Sequence, residues 1–216
     1  MTAPIGLLGG TFDPIHIAHL RTAIQAREQL GLSEVRLMPN HIPPHRATPD
    51  SAPEHRLAMT RLAAAATPGL TVDQRELNRI TPSYTVDTLI ELRAELGPSR
   101  PLCFIMGMDS LCSLDKWHRW QELLDYAHLV VSHRPGWTPE LNPTLAALYN
   151  NHGTQDREAL HLVSGGHIFL LDNPELEVSS TQIRDYIRRG NNPQYLLPDA
   201  VANYIRQQGL YSGSMV

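Results

Sequence analysis

The sequence predicts an α/β fold: a doubly wound parallel sheet with helices on both faces. Three observations carry this. Short apolar runs alternate with helical patterns along the 216-residue chain, and that alternation demands crossover connections and therefore parallel strands. The first run ends in two glycines and passes within about 30 residues into an amphipathic segment, the opening of a βαβ unit. The composition, 42% hydrophobic and 19% charged, is that of a soluble globular protein long enough to bury an ample core.

The elements follow in order. Ile5–Leu8 is a short buried strand, and Ile17–Leu30 a helix closed by Gly31. Val35–Met38 is the second strand. Asn40–Ala52, with Pro43, Pro44 and Pro49, is a long loop, and long loops in compact domains are often functional. Then come helix Pro53–Ala66, strand Leu70–Asp73, helix Tyr84–Leu96 ending at Gly97, strand Leu102–Met106, helix Arg119–Asp125 and strand His128–Ser132. Pro135–Gly166 is irregular, a small insertion with a short helical pattern at Leu145–Tyr149. His167–Leu171 is the last strand; helices Thr181–Arg189 and Asp199–Gln208 follow, the first introduced by the capping-box pattern Ser179-x-x-Gln182. The whole reads as one Rossmann-like domain over residues 1–216, with a helical portion from about 179.

The net charge of −4 argues against a general nucleic-acid coat and leaves room for a local basic pocket. Cys103 and Cys112 lack metal-ligand spacing and point to a reducing compartment without structural disulfides. No signal peptide or membrane-length apolar run is read, so the expected location is the cytoplasm, with no membrane partner. Oligomeric state does not follow from these residues.

The most informative stretch is Gly9-Gly10-Thr11-Phe12-Asp13-Pro14-Ile15-His16-Ile17-Ala18-His19. Glycines allow close backbone approach, and free N–H groups at a helix start attract anions. His16 and His19, spaced i and i+3, sit beside that anion site. An HxxH pair alone is commonly structural, so context decides. A zinc reading fails: no Glu follows His16, and there is no third ligand.

This stretch resembles the first signature of the nucleotidyltransferase (adenylyltransferase) superfamily. Ser179-Ser180-Thr181-Gln182-Ile183-Arg184 resembles its second, at about the expected separation. One departure is Ala18, where the family usually has Gly. The resemblance implies that Gly9, Gly10, Thr11 and Phe12 cradle ATP together with Ser179, Ser180 and Thr181. It also implies that His16, His19 and Arg184 act on the phosphates. Physical reasoning agrees: adenylyl transfer needs positioning and charge neutralisation more than covalent help.

Three further stretches concern the acceptor. Pro82-Ser83-Tyr84-Thr85-Val86-Asp87-Thr88-Leu89 starts a helix, where Thr85 and nearby N–H groups suit a carboxylate. Ile105-Met106-Gly107-Met108-Asp109-Ser110-Leu111 ends a strand at the edge where α/β sheets bind ligands, and Asp109 suits ribose hydroxyls. Trp117 offers a flat ring for stacking, although a lone Trp is more often core. With Pro43-Pro44-His45-Arg46 and Ser132-His133-Arg134-Pro135-Gly136, the set resembles the bacterial nicotinate-nucleotide adenylyltransferases. That resemblance implies His45, Arg46, Tyr84, Thr85, Trp117 and Arg134 as acceptor-binding residues. It implies Gly107 and Asp109 as ATP-binding residues. The substrates would be MgATP and nicotinate mononucleotide, with Mg²⁺ held mainly by the nucleotide phosphates and no protein metal ligand assigned.

Other readings are set against this one. Phosphopantetheine adenylyltransferases share the first signature but usually carry Thr at its first histidine and lack the SYTVDTL stretch. Nicotinamide mononucleotide is nearly isosteric with the acid, yet Thr85 and helix N–H donors favour the anion, while an amide also wants an acceptor. A non-catalytic nucleotide sensor has little need of His16, His19 and Arg184 together. An RNA-binding synthetase fragment would need a K-M-S-K-type loop and a basic surface, and neither is present.

Overall fold

The computed structural model describes residues 2–41, 48–133, 140–174 and 176–212. Among these, seven strands form one parallel sheet: β1 (Ile5–Gly10), β2 (Glu34–Pro39), β3 (Leu70–Val72), β4 (Leu102–Gly107), β5 (His128–His133), β6 (Gly153–Thr154) and β7 (Ile168–Asp172). Their spatial order is β3-β2-β1-β4-β5-β7-β6. The chain winds outward from β1 through β2 to β3 in one direction and from β4 to β5 in the other, where β6 takes the far edge and β7 returns to lie between β5 and β6. The two central strands run level, Ile5 opposite Leu102 and Leu8 opposite Ile105. Their carboxyl ends finish side by side at the point where the winding reverses, which is where open α/β sheets take ligands.

Side chains alternate across the sheet with period two, and helices bury both faces. Leu8, Val35, Leu37, Ile105 and Val130 pack with Leu20 and Ala23 of α1 (Ile17–Leu30) and with Met59 and Ala63 of α2 (Pro53–Ala65). Leu7, Phe104, Met106, Leu129 and Val131 pack with Val86, Leu89 and Leu92 of α3 (Thr85–Leu96) on the opposite side. α4 (Met108–Cys112) follows β4 directly, and Met108 and Leu111 join that second layer.

Two expectations are corrected. Arg119–Asp125 is not one helix: Arg119 has φ +50°, which breaks the helical run. A 3₁₀ turn at Trp120–Glu122 and α5 (Leu123–Tyr126) take its place. The expected irregular insertion is substantially ordered where described. It holds α6 (Pro143–His152), β6 at the sheet edge and α7 (Ala159–Leu162). Asn142 caps α6 by accepting from the Leu145 N–H at 3.0 Å, with Pro143 in the first turn.

The late helices α8 (Ser180–Arg188) and α9 (Asp199–Gln208) place Ile183, Val201 and Ile205 in the same layer as α1 and α2. α8 is thereby laid against the end of β1. Ser179 caps it, accepting from the Gln182 N–H at 3.2 Å, while the Gln182 side chain turns to the Tyr186 hydroxyl instead of completing a capping box.

Candidate active site

β1 ends in Gly9 and Gly10, and the chain then folds back under itself. A Cβ at Gly10 would lie 2.6 Å from the Phe12 ring, so glycine there is required inside the protein. Phe12 is buried with φ +50°, an uncommon conformation for a non-glycine residue that its packing must hold. Its ring meets His19 edge-on at 5.0 Å, and His19 stacks on His16 at 3.7 Å.

His16 stands at the N-cap of α1 in an extended conformation, one position before the helix proper. Its backbone N–H donates to His19 Nδ1 at 3.3 Å. An acceptor at Nδ1 places the ring proton of a neutral His19 on Nε2. His16 is only 4% exposed, and burial pushes its imidazole down to about 4. It is therefore a neutral donor at neutral pH.

Asp13 ties this loop to the rest of the molecule. It is 3% exposed. Its Oδ2 accepts the Asp50 N–H at 2.7 Å, and its Oδ1 accepts the Ser51 and Tyr211 hydroxyls at 2.5 and 2.6 Å. Its backbone carbonyl accepts Arg184 Nη1 at 2.8 Å, and Ser180 Oγ donates to the next carbonyl, Pro14 O, at 2.9 Å. The two sequence signatures, 166 positions apart at these residues, are thus joined by hydrogen bonds. Arg184 also reaches Asp50 Oδ2 at 3.0 Å.

A second buried cation braces the loop from below. Arg56 of α2 is fully buried and donates to Thr11 O at 2.8 Å, Asn40 O at 2.6 Å and His41 O at 3.3 Å. It connects the turn after β1 to the segment after β2. That segment is held in turn by His41, whose N–H donates to Ser83 Oγ at 3.2 Å and whose Nδ1 pairs with Arg79 O at 2.6 Å.

The opposite layer carries the acceptor candidates. Tyr84 is the N-cap of α3, and its side chain makes no cap hydrogen bond to the first amides of the helix. Tyr84 and His118 rings lie 4.3 Å apart. Trp117 is half-buried and meets Phe104 edge-on at 6.2 Å; Phe104 in turn lies under Gly9, 3.8 Å from where a Cβ would be. A continuous path of groups thus runs from Gly9 through Phe104 to Trp117. Gly107 and Asp109 are exposed where β4 passes into α4, and a Cβ at Gly107 would meet nothing within 4 Å. His45, Arg46 and Arg134 lie outside the described residues.

A family model described as cytidylyltransferase-like matches residues 7–186. A relative from Aeromonas salmonicida (strain A449), named "Probable nicotinate-nucleotide adenylyltransferase", is 62% identical over 98% of this chain and 98% of its own. A relative of the same name from Aeromonas hydrophila is 63% identical over 96% of this chain and 97% of its own. The chain belongs to the nicotinate-nucleotide adenylyltransferase family. Its architecture is likewise similar to a solved nicotinic acid mononucleotide adenylyltransferase from Plasmodium falciparum complexed with NaAD. That likeness has a TM-score of 0.72 at 18% identity and covers 97% of both chains. At such low identity it establishes the fold alone.

The residues that join the family's signatures were not singled out from sequence. Asp13 lies inside the first signature without an evident role there. Asp50, Ser51 and Tyr211 find it only through pairings 37, 38 and 198 positions apart. Arg56 did leave a signal. It shares the buried helical stripe of Met59, Thr60 and Ala63, where a lone cation needs partners.

Proposed function

We propose that this protein transfers AMP from MgATP to nicotinate mononucleotide, forming deamido-NAD and pyrophosphate in NAD biosynthesis, in the cytoplasm. The observation that carries this is the joining of the two signatures: the turn bearing His16 and His19 is hydrogen-bonded, through Asp13 and Pro14, to the helix bearing Arg184. It lies at the switch point beside β4. The names of the relatives at 62–63% identity support the same reaction.

The acceptor's phosphate oxygen attacks the α-phosphorus of ATP in line. A new P–O–P bridge forms, and the bond to the β-phosphate breaks with its electron pair leaving on pyrophosphate. The attacking phosphate is already anionic, so no base and no covalent enzyme intermediate are needed. Neutral His16 and the Nε2–H of His19 donate to phosphate oxygens as charge develops. Arg184 faces the departing β,γ-unit. Gly9, Gly10, Thr11 and Phe12 shape the turn, and Ser179, Ser180 and Thr181 hold the start of α8 against it. Mg²⁺ enters as part of MgATP and neutralises the phosphates.

On the acceptor side, Thr85 and the uncapped amides of α3 suit the nicotinate carboxylate, and Trp117 and Tyr84 supply aromatic surface. On the ATP side, Asp109 suits the ribose hydroxyls of the nucleotide beside Gly107. For His45, Arg46 and Arg134, outside the described residues, the resemblance implies phosphate binding.

Pyrophosphate release from MgATP is the test, with nicotinate mononucleotide, nicotinamide mononucleotide and phosphopantetheine as separate acceptors. Rapid release with the nicotinate compound alone is the expected result. Equal rates with the amide would remove the carboxylate preference, and no release with any acceptor would overturn the reaction.

A further inference from the structure

We propose that Arg188 is a second polyphosphate-binding cation beside Arg184, and that the Asp50 carboxylate fills their shared anion position until the triphosphate of ATP displaces it. The proposal rests on the adenylyl-transfer reading above and concerns how its nucleotide site is kept before ATP arrives.

Arg184 and Arg188 stand one turn apart on α8, so they share a helix face. Both guanidiniums converge on one atom, Asp50 Oδ2: Arg184 through Nε at 3.0 Å, Arg188 through Nη2 in direct contact. Arg188 also pairs with Asp185, Nη1 to Oδ1 at 2.7 Å. A single anionic oxygen held between two guanidiniums has the arrangement that phosphoryl oxygens take in arginine clusters. The Asp50 backbone N–H is fixed to Asp13, so this carboxylate is aimed at the pair.

Exposure decides whether the contact is a permanent brace or an exchangeable one. The side chains of Asp50 and Arg188 are 36% and 42% exposed, and ion pairs so open to water are weak. A triphosphate offers several anionic oxygens in place of one. Arg184 does not depend on Asp50 for its position: its side chain is 16% exposed and its Nη1 stays on the Asp13 carbonyl. Displacing Asp50 therefore leaves an oriented guanidinium behind and frees Arg188 to turn to the same anion.

Calorimetric titration of MgATP and of AMP into the native protein, Asp50→Asn and Arg188→Gln tests this. AMP lacks the β- and γ-phosphates and serves as the control for general damage. Asp50→Asn should tighten ATP binding about two- to tenfold, the range expected for losing weak competing pairs. Arg188→Gln should weaken it by a similar factor, Arg188→Lys should recover part of the loss, and AMP affinity should stay within twofold throughout. A brace makes the opposite prediction: Asp50→Asn would weaken ATP, or weaken ATP and AMP together. Either of those results, or an unchanged ATP-to-AMP ratio in Arg188→Gln, overturns the proposal. Native turnover with nicotinate mononucleotide, measured alongside, reports separately on the reaction itself.

Discussion

Replacing His16 by glutamine should flatten the acid sensitivity of folding by about 2 kcal/mol between pH 7 and pH 5. Burial lowers the native His16 value to about 4 from an ordinary 6.5. The unfolded chain therefore takes up a proton that the native state refuses. The corresponding stability is fully present above pH 6.5, is lost as pH falls toward 4, and changes no further below that. Over pH 7 to 5, a single group with these two values loses about 2 kcal/mol, an order-of-magnitude figure for a residue with almost no exposure. His128 is lowered to about 4, chiefly by burial, and adds a loss of the same sign, whereas Glu76, raised by burial, contributes in the opposite direction. These contributions are common to both proteins and cancel in the comparison. Urea unfolding of each protein at several pH values supplies the assay, and only the difference between the two pH dependences counts. Parallel curves within about 0.5 kcal/mol would refute a buried neutral His16. They would also remove the reason for treating it as a neutral donor.

Three other outcomes are expected. His19→Ala should lower turnover by about 10²–10³ with little change in folding, and a loss under about fivefold in steady-state kinetics would count against its donor role. Thr85→Ala should erode the preference for nicotinate over nicotinamide mononucleotide, read as the ratio of kcat/KM for the two acceptors; an unaltered ratio would take Thr85 out of specificity. Tyr211→Phe should cost about 1.5–3 kcal/mol in urea unfolding, because it removes a hydroxyl donating to the buried Asp13 carboxylate while keeping the ring.

What the sequence made legible depended on distance along the chain. The central strands, the helices with whole apolar stripes and the two signatures are local patterns, and they lie where expected. Arg119 shows the limit of periodicity: its neighbours read as helix, yet one left-handed residue splits the run into a 3₁₀ turn and a four-residue helix. Asn142-Pro143 shows a signal overlooked, since an Asn cap followed by Pro marks the start of α6 inside a stretch read as irregular. The site divides in the same way. His16, His19 and Arg184 are visible within their motifs. The Asp13 cluster and the Arg56 carbonyl brace are assembled from four separate parts of the chain, and no local pattern announces such contacts.

The Tyr211–Asp13 bond has a consequence for the order in which the molecule matures. Residue 13 leaves the ribosome early, but its hydroxyl partner is 198 positions later. At translation speeds of about 5–20 residues per second, the turn carrying His16 waits roughly 10–40 s for that partner. Arg184, which also grips Asp13, arrives nearly as late. A nascent chain can lay down β1 and α1 long before the Asp13 junction closes, so the turn that carries His16 and His19 is anchored well after its own strand and helix have formed.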